Sequence, residues 1–167
     1  VEVHLSESLS FDADVAALGD TLRQRGWMLA TAESCTGGLI AAACTALAGS
    51  SDWFERGFVT YSNEAKHELL GVPDALLTAH GAVSAEVACA MAAGALAHSR
   101  AQIAVAVTGI AGPAGASPGK PVGTVWLALA RIGEPARAEL LQLQGDRASV
   151  RAQTVRFALA RLRESPA

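Results

Sequence analysis

Apolar and polar positions alternate along this chain with two different periods. From Phe11 to Arg25 the apolar residues Val15, Leu18 and Leu22 recur at helical spacing, with Ser10 as a possible cap and Gly26 as the stop. Trp27-Met28-Leu29-Ala30 then reads as a short buried strand, and Leu39 to Ala48 as an alanine-rich helix closed by Gly49. The alternation in Gly57 to Ser62 suits a second strand, after which Asn63 is placed to cap a helix carrying Glu64, Lys66, Leu69 and Leu70. Pro73, at a helix N1 position, and Ser84, at a cap, open two further helices, the second running through Val87 and Met91 to about His98. Gln102 to Val107 is continuously apolar, the pattern of a strand covered on both faces. Val122 to Arg131 and Ala136 to Gln144 read as a hairpin around Gly133-Glu134, and Asp146 caps a last helix with Val150, Val155, Leu159 and Leu162 on its apolar face. The order predicts one α/β domain spanning residues 1–167, a three-layer α/β/α sandwich whose mixed sheet joins parallel strands to an antiparallel hairpin. No internal repeat or interdomain linker interrupts it.

Composition narrows the function classes. The 167 residues are 51% hydrophobic and carry a net charge of -3 with no basic run, which argues against a surface built to neutralise nucleic-acid phosphates. No apolar stretch reaches the roughly 18–20 residues of a membrane span, and Val1-Glu2-Val3-His4 lacks signal-peptide character, so a cytoplasmic location is the default expectation. Cys35, Cys44 and Cys89 are odd in number and lack metal-ligand spacing; neither disulfides nor zinc are indicated, and Cys44 and Cys89 read as core residues.

Among the 13 basic residues only Lys66 and Lys120 are lysine. Lysine loses its proton when desolvated and can then act as a base, which arginine cannot. Lys66 also follows Tyr61, the single tyrosine, by five residues. The segment Thr31-Ala32-Glu33-Ser34-Cys35-Thr36-Gly37-Gly38 puts a hydroxyl nucleophile between a strand and a helix, where the N–H groups of Thr36, Gly37 and Gly38 would face an oxyanion or phosphate. The plainer reading is a small-residue turn that packs a helix against a strand. Thr108-Gly109-Ile110-Ala111-Gly112-Pro113 is a second glycine-rich strand end. The four histidines, His4, His67, His80 and His98, sit at a terminus, on a helix or at helix ends and suggest no Ser-His-Asp triad.

Ser34 with its glycine-rich helix start, Tyr61-Ser62-Asn63-Glu64-Ala65-Lys66, the Thr108 to Pro113 loop and Pro121-Val122-Gly123-Thr124-Val125 occur in that order. Together with Gly145-Asp146-Arg147 they resemble the CinA C-terminal domain family of nicotinamide mononucleotide deamidases, from about Leu18 to the end. The resemblance implies hydrolysis of the carboxamide of nicotinamide mononucleotide without metal or cofactor, with Ser34 as nucleophile, Lys66 as general base and Tyr61 relaying or positioning the proton. It implies oxyanion donors near Cys35 to Gly38 or at Gly109. The substrate contacts expected from it are Cys35, Thr36, Gly37, Gly38, Asn63, Thr108, Gly109, Ala111, Gly112, Lys120 and Arg147, with the last two and the 108–120 loop offered to the phosphate. A stand-alone form, assembling as a homodimer or tetramer, is the accompanying expectation. Two other readings stay open at this point: a catalytically idle nucleotide-binding or regulatory domain of the same fold, and an amidase that uses Cys35 instead of Ser34.

Overall fold

Five strands form one mixed sheet in the order β2-β1-β3-β4-β5 in the computed structural model of the chain, which describes residues 10–165. α1 (Asp12–Arg25) precedes β1 (Leu29–Glu33), α2 (Leu39–Thr45), a 3-10 turn (Ser50–Asp52) and β2 (Phe54–Val59). α3 (Asn63–Leu70), α4 (Asp74–His80) and α5 (Ala85–Ala97) then lead into β3 (Ile103–Gly109), the hairpin β4 (Thr124–Arg131) and β5 (Arg137–Gln142), and α6 (Arg147–Glu164). β1 is parallel to β2 and β3, whereas β4 is antiparallel to β3 and β5. The mixed three-layer sandwich expected from the pattern is the observed architecture.

The two faces of the sheet differ in side-chain size rather than polarity. Leu29, Ile103, Val105, Val107, Val125 and Leu127 point to the layer of α1, α2 and α6. Ala30, Ala32, Ala104, Ala106, Ala128 and Ala130 alternate with them and face α5, whose own Ala88, Ala92 and Ala95 meet them. Alanine against alanine lets α5 lie close to the sheet. Gly94 continues that closeness to α3: a Cβ built there would stand 2.0 Å from the Leu70 carbonyl oxygen. Gly94→Ala is therefore expected to cost about 2–3 kcal/mol, because α3 and α5 must part to admit one methyl group. A thermal melt checks this, and a variant melting with the parent would show that the contact yields.

Several boundaries differ from the sequence expectation, each for a local reason. β1 runs two residues later than Trp27 and ends at Glu33, because the polar Thr31 and Glu33 are wholly buried against α2 and bond each other at 3.3 Å. β2 occupies 54–59 instead of 57–62: its register with β1 begins at Leu29↔Phe54, so Thr60 to Ser62 lie past the strand. α2 stops at Thr45, not Ala48. The Thr45 hydroxyl donates to the Ala41 carbonyl at 2.8 Å, and Gly49, at φ +85°, leads into the 3-10 turn. The cap of α3 is Ser62, which accepts from the Ala65 N–H at 3.0 Å, and Asn63 is the first helical residue. Pro73 occupies the cap position of α4 instead of its first turn, and Phe11 that of α1, with Ser10 Oγ accepting from Asp12 N–H at 3.4 Å. Ser84 and Asp146 cap α5 and α6 as expected.

Candidate active site

The site lies at the carboxyl ends of the parallel strands, where the α/β topology opens a crevice. Ser34 follows β1 directly, and its N–H donates to the Val107 carbonyl at 3.1 Å; Thr60 N–H donates to the Glu33 carbonyl at 2.8 Å. Both ladders thus extend one residue past β1. Strand alternation then sends Glu33 toward α2 and Ser34 toward α3.

Glu33 changes the expected role of the α2 start. Its carboxylate accepts from Ile40 N–H (2.8 Å), Ala41 N–H (2.9 Å), Thr36 Oγ1 (2.7 Å) and Thr31 Oγ1 (3.3 Å). Gly37 N–H is turned back to the Ser34 carbonyl at 3.0 Å and Leu39 N–H to that of Thr36 at 3.2 Å. The positive end of α2 is therefore satisfied by the protein's own carboxylate, and of the three N–H groups expected to face an anion that of Gly37 is already taken by the Ser34 carbonyl. Gly37 and Gly38, at φ +60° and +100°, are needed to reverse the chain there.

Lys66 reaches Ser34 from one turn inside α3. It is 1% exposed, and its Nζ stands 3.0 Å from Ser34 Oγ, 2.8 Å from the Thr60 carbonyl oxygen and 3.2 Å from that of Tyr61. Burial lowers the Lys66 pKa from 10.5 to about 8, with the Cys35 thiol pulling weakly the other way. A neutral amine has two hydrogens and one lone pair. The two carbonyls hold the hydrogens, so the lone pair is left aimed at the Ser34 hydroxyl.

The cleft above this pair has a volume of about 220 Å³ and is lined by Ser34, Cys35, Tyr61, Lys66, Ala82, Val83, Thr108, Gly109 and Arg147. Thr108 Oγ1 donates to the Ala82 carbonyl at 2.9 Å. Arg147, in the first turn of α6, spans the mouth: Nη1 donates to the Gly112 carbonyl at 2.9 Å and Nη2 to the Tyr61 phenol at 3.1 Å. Tyr61, 62% exposed as a residue, thus contributes its backbone carbonyl to Lys66, while its phenol bonds Arg147 and makes no hydrogen bond to Lys66 or Ser34.

The side chains of the other expected site residues make contacts outside the cleft or are buried. Lys120 anchors its loop by donating to the His80 carbonyl at 3.1 Å and does not line the cleft. Asn63 borders a separate hollow with Glu64, His67 and Glu68. Thr36 is buried, with its hydroxyl on Glu33 and its carbonyl accepting from Arg151 Nη2 at 3.1 Å. Ala111 is buried in the core, and Gly112 meets the site only through its carbonyl. Cys35 is 5% exposed, and burial pushes its thiol up to about 11, away from the thiolate that a nucleophile requires. Cys44 is buried like it, whereas Cys89 is only partly covered.

His67 Nδ1 lies 2.9 Å from the Val72 carbonyl, His98 Nδ1 2.8 Å from that of Gly94, and His80 3.6 Å from Glu86, so none of the three is placed on Ser34. His4 is outside the described residues. Among the described residues no three His, Cys, Asp or Glu side chains are grouped to hold a metal ion, and no helix is long and apolar enough to cross a membrane. Glu33 and Arg151 were missed by the sequence reading. A carboxylate inside a buried strand had to find donors, and the adjacent helix start was the nearest supply.

The fold and site define a class, the α/β domains whose strand-end crevice carries a serine hydroxyl against a desolvated lysine. The CinA C-terminal domain family matches residues 12–165, and the chain belongs to that family. It is 52% identical over 145 residues to the nicotinamide-nucleotide amidohydrolase PncC of Escherichia coli, which covers 87% of this chain and 88% of that protein. A CinA-like protein of Citrifermentans bemidjiense is 58% identical over 142 residues, covering 85% of this chain and 34% of that protein. The chain spans about a third of the length of such longer relatives. The solved structure of competence/damage inducible protein CihA from Agrobacterium tumefaciens has a TM-score of 0.89 to this chain at 45% identity, over 97% of both.

Proposed function

We propose that this chain is a nicotinamide-nucleotide amidohydrolase, converting nicotinamide mononucleotide and water to nicotinate mononucleotide and ammonia. The observation that carries the reading is the Lys66 amine, with its pKa lowered to about 8, held 3.0 Å from Ser34 Oγ with its hydrogens on two carbonyls. Relatives named for this activity at over 50% identity support it.

In the proposed reaction neutral Lys66 takes the Ser34 proton as Oγ bonds the carboxamide carbon, and the carbonyl electrons move to oxygen. Collapse breaks the C–N bond, and ammonia leaves with the proton that Lys66 held. Water then hydrolyses the resulting ester, with Lys66 again taking and returning a proton. Since Glu33 occupies the α2 start, the oxyanion donors are assigned to the turn at Cys35 and Thr36, and to Gly109 across the cleft. Gly109 lies two residues beyond Val107, whose carbonyl faces Ser34, so its N–H turns to the same side of β3. The idle-domain reading leaves a desolvated lysine against a serine without a purpose.

Arg147 is the proposed phosphate ligand, exchanging the Tyr61 phenol and the Gly112 carbonyl for phosphate oxygens. Nicotinamide riboside is accordingly expected to show a kcat/KM about 10–100-fold below that of the mononucleotide, the worth of one charge-assisted pair. Ammonia release by purified protein reads both substrates. Equal efficiency would remove the phosphate from the recognition scheme, and no release from either would overturn the enzyme assignment. Assembly as a homodimer or tetramer and a cytoplasmic setting complete the reading, the first being measured by light scattering.

A further inference from the structure

Ser34 has a hydroxyl neighbour on each side. The β1–β2 register ends at Glu33↔Val59 and the β1–β3 register at Glu33↔Val107, and the ladder bonds of Thr60 and Ser34 carry both one residue further. Thr60, Ser34 and Thr108 therefore stand in one row across three parallel strands, about 4.8 Å apart and directed to the α3 and α5 side of the sheet. Thr108 lines the substrate cleft and its hydroxyl is bonded to Ala82. Thr60, on the opposite flank of Ser34, is wholly buried, gives its carbonyl to Lys66 Nζ at 2.8 Å, and leaves its Oγ1 without a partner.

An orphaned hydroxyl in a buried position is costly, and valine would fill the same volume without that cost. Retention of the hydroxyl beside the reacting pair asks for a transient partner. We infer that Thr60 Oγ1 holds the water that releases the acyl group from Ser34, an inference resting on the amidohydrolase reading. Once Ser34 is esterified, its proton no longer occupies the Lys66 lone pair, and one O–H of a water takes its place. The second O–H of that water is donated to Thr60 Oγ1, which turns the oxygen toward the ester carbon from the flank that the nicotinoyl group does not cover. One O–H bond breaks, its proton passes to Lys66, and the new C–O bond forms at the acyl carbon. Collapse breaks the bond to Oγ, which recovers its proton from the Lys66 ammonium. Thr60 thereby serves deacylation and leaves acylation to Ser34 and Lys66.

The test compares Thr60→Val and Thr60→Ser with the parent during turnover of nicotinamide mononucleotide. It follows ammonia and nicotinate mononucleotide separately, with intact-mass measurement of acid-quenched protein. Thr60→Val should melt at or above the parent temperature and release one ammonia per subunit in a burst. It should then turn over at least tenfold more slowly, with the acyl adduct on most chains, and Thr60→Ser should stay within threefold of the parent. Parental turnover in Thr60→Val, or slowing without burst and adduct, overturns the assignment of Thr60 while leaving the amidohydrolase reading intact. A parent protein that releases no ammonia overturns both.

Discussion

Ser34→Ala should lower ammonia release from nicotinamide mononucleotide by about a thousandfold or more, with little change in melting temperature. The substitution deletes one oxygen at a position 9% exposed, and the Ser34 N–H ladder bond to Val107 survives it. Lys66 retains its two carbonyl partners at 2.8 and 3.2 Å, so its position does not depend on the hydroxyl. What is lost is the nucleophile, and no neighbour replaces it: the Cys35 thiol is buried and pushed up to about 11. The measurement is steady-state ammonia release beside a nucleotide-binding titration. Activity within tenfold of the parent would mean that the reaction does not pass through a Ser34 ester.

Lys66→Arg is the second large effect, expected to match Lys66→Ala in loss of turnover although it keeps the charge. Guanidinium stays protonated at any pH the fold survives, so an arginine there has no lone pair to offer Ser34. In the parent, the reactive neutral amine predominates above its pKa, and kcat/KM should rise with pH through about 8 and level off beyond it. Stability should follow the same group. Its folded-state pKa lies below the unfolded one, so between about 8 and 10.5 the unfolded chain holds more protons and the parent gains stability as pH rises. That contribution is complete above 10.5 and is lost as pH falls through about 8. Lys66→Met lacks the ionisation, and its stability relative to the parent should fall by on the order of 3 kcal/mol from pH 7 to pH 10.5. A flat difference in denaturant midpoints, or substantial turnover by Lys66→Arg, would reduce Lys66 to electrostatic support.

Sequence pattern located the elements better than their ends, and the site better than its wiring. The hairpin, the α5 and α6 caps and the apolar face of α6 were legible because each depends on residues close in sequence. Ser34 and Lys66 stood out by chemistry, one at a strand-to-helix turn and the other as one of two lysines. The roles of Glu33, Tyr61 and Thr60 were not legible, since each rests on a through-space partner. Glu33 depends on where α2 starts, the Tyr61 phenol on Arg147, and Thr60 on the one-residue extension of two ladders. The placement of β2 failed for a related reason. Alternation from Gly57 to Ser62 described a real period, but an edge strand takes its limits from its neighbour, and β1 pairs with Phe54 to Val59.

The division of the sheet into a large-residue face and an alanine face has a consequence for how this sequence can drift. On the α1 and α6 side, leucine, isoleucine, valine and methionine can trade places with compensating adjustments nearby, because similar volumes can be redistributed among neighbours. At the six alanine positions of the sheet that face α5, and at Ala88, Ala92 and Ala95 of the helix, the residues are already the smallest that carry a side chain, and most exchanges add atoms where none fit. Substitution is therefore freer on the large-residue side of the sheet than at the alanine contacts between the sheet and α5. The restricted half is the one that sets how far α3, and with it Lys66, stands from Ser34.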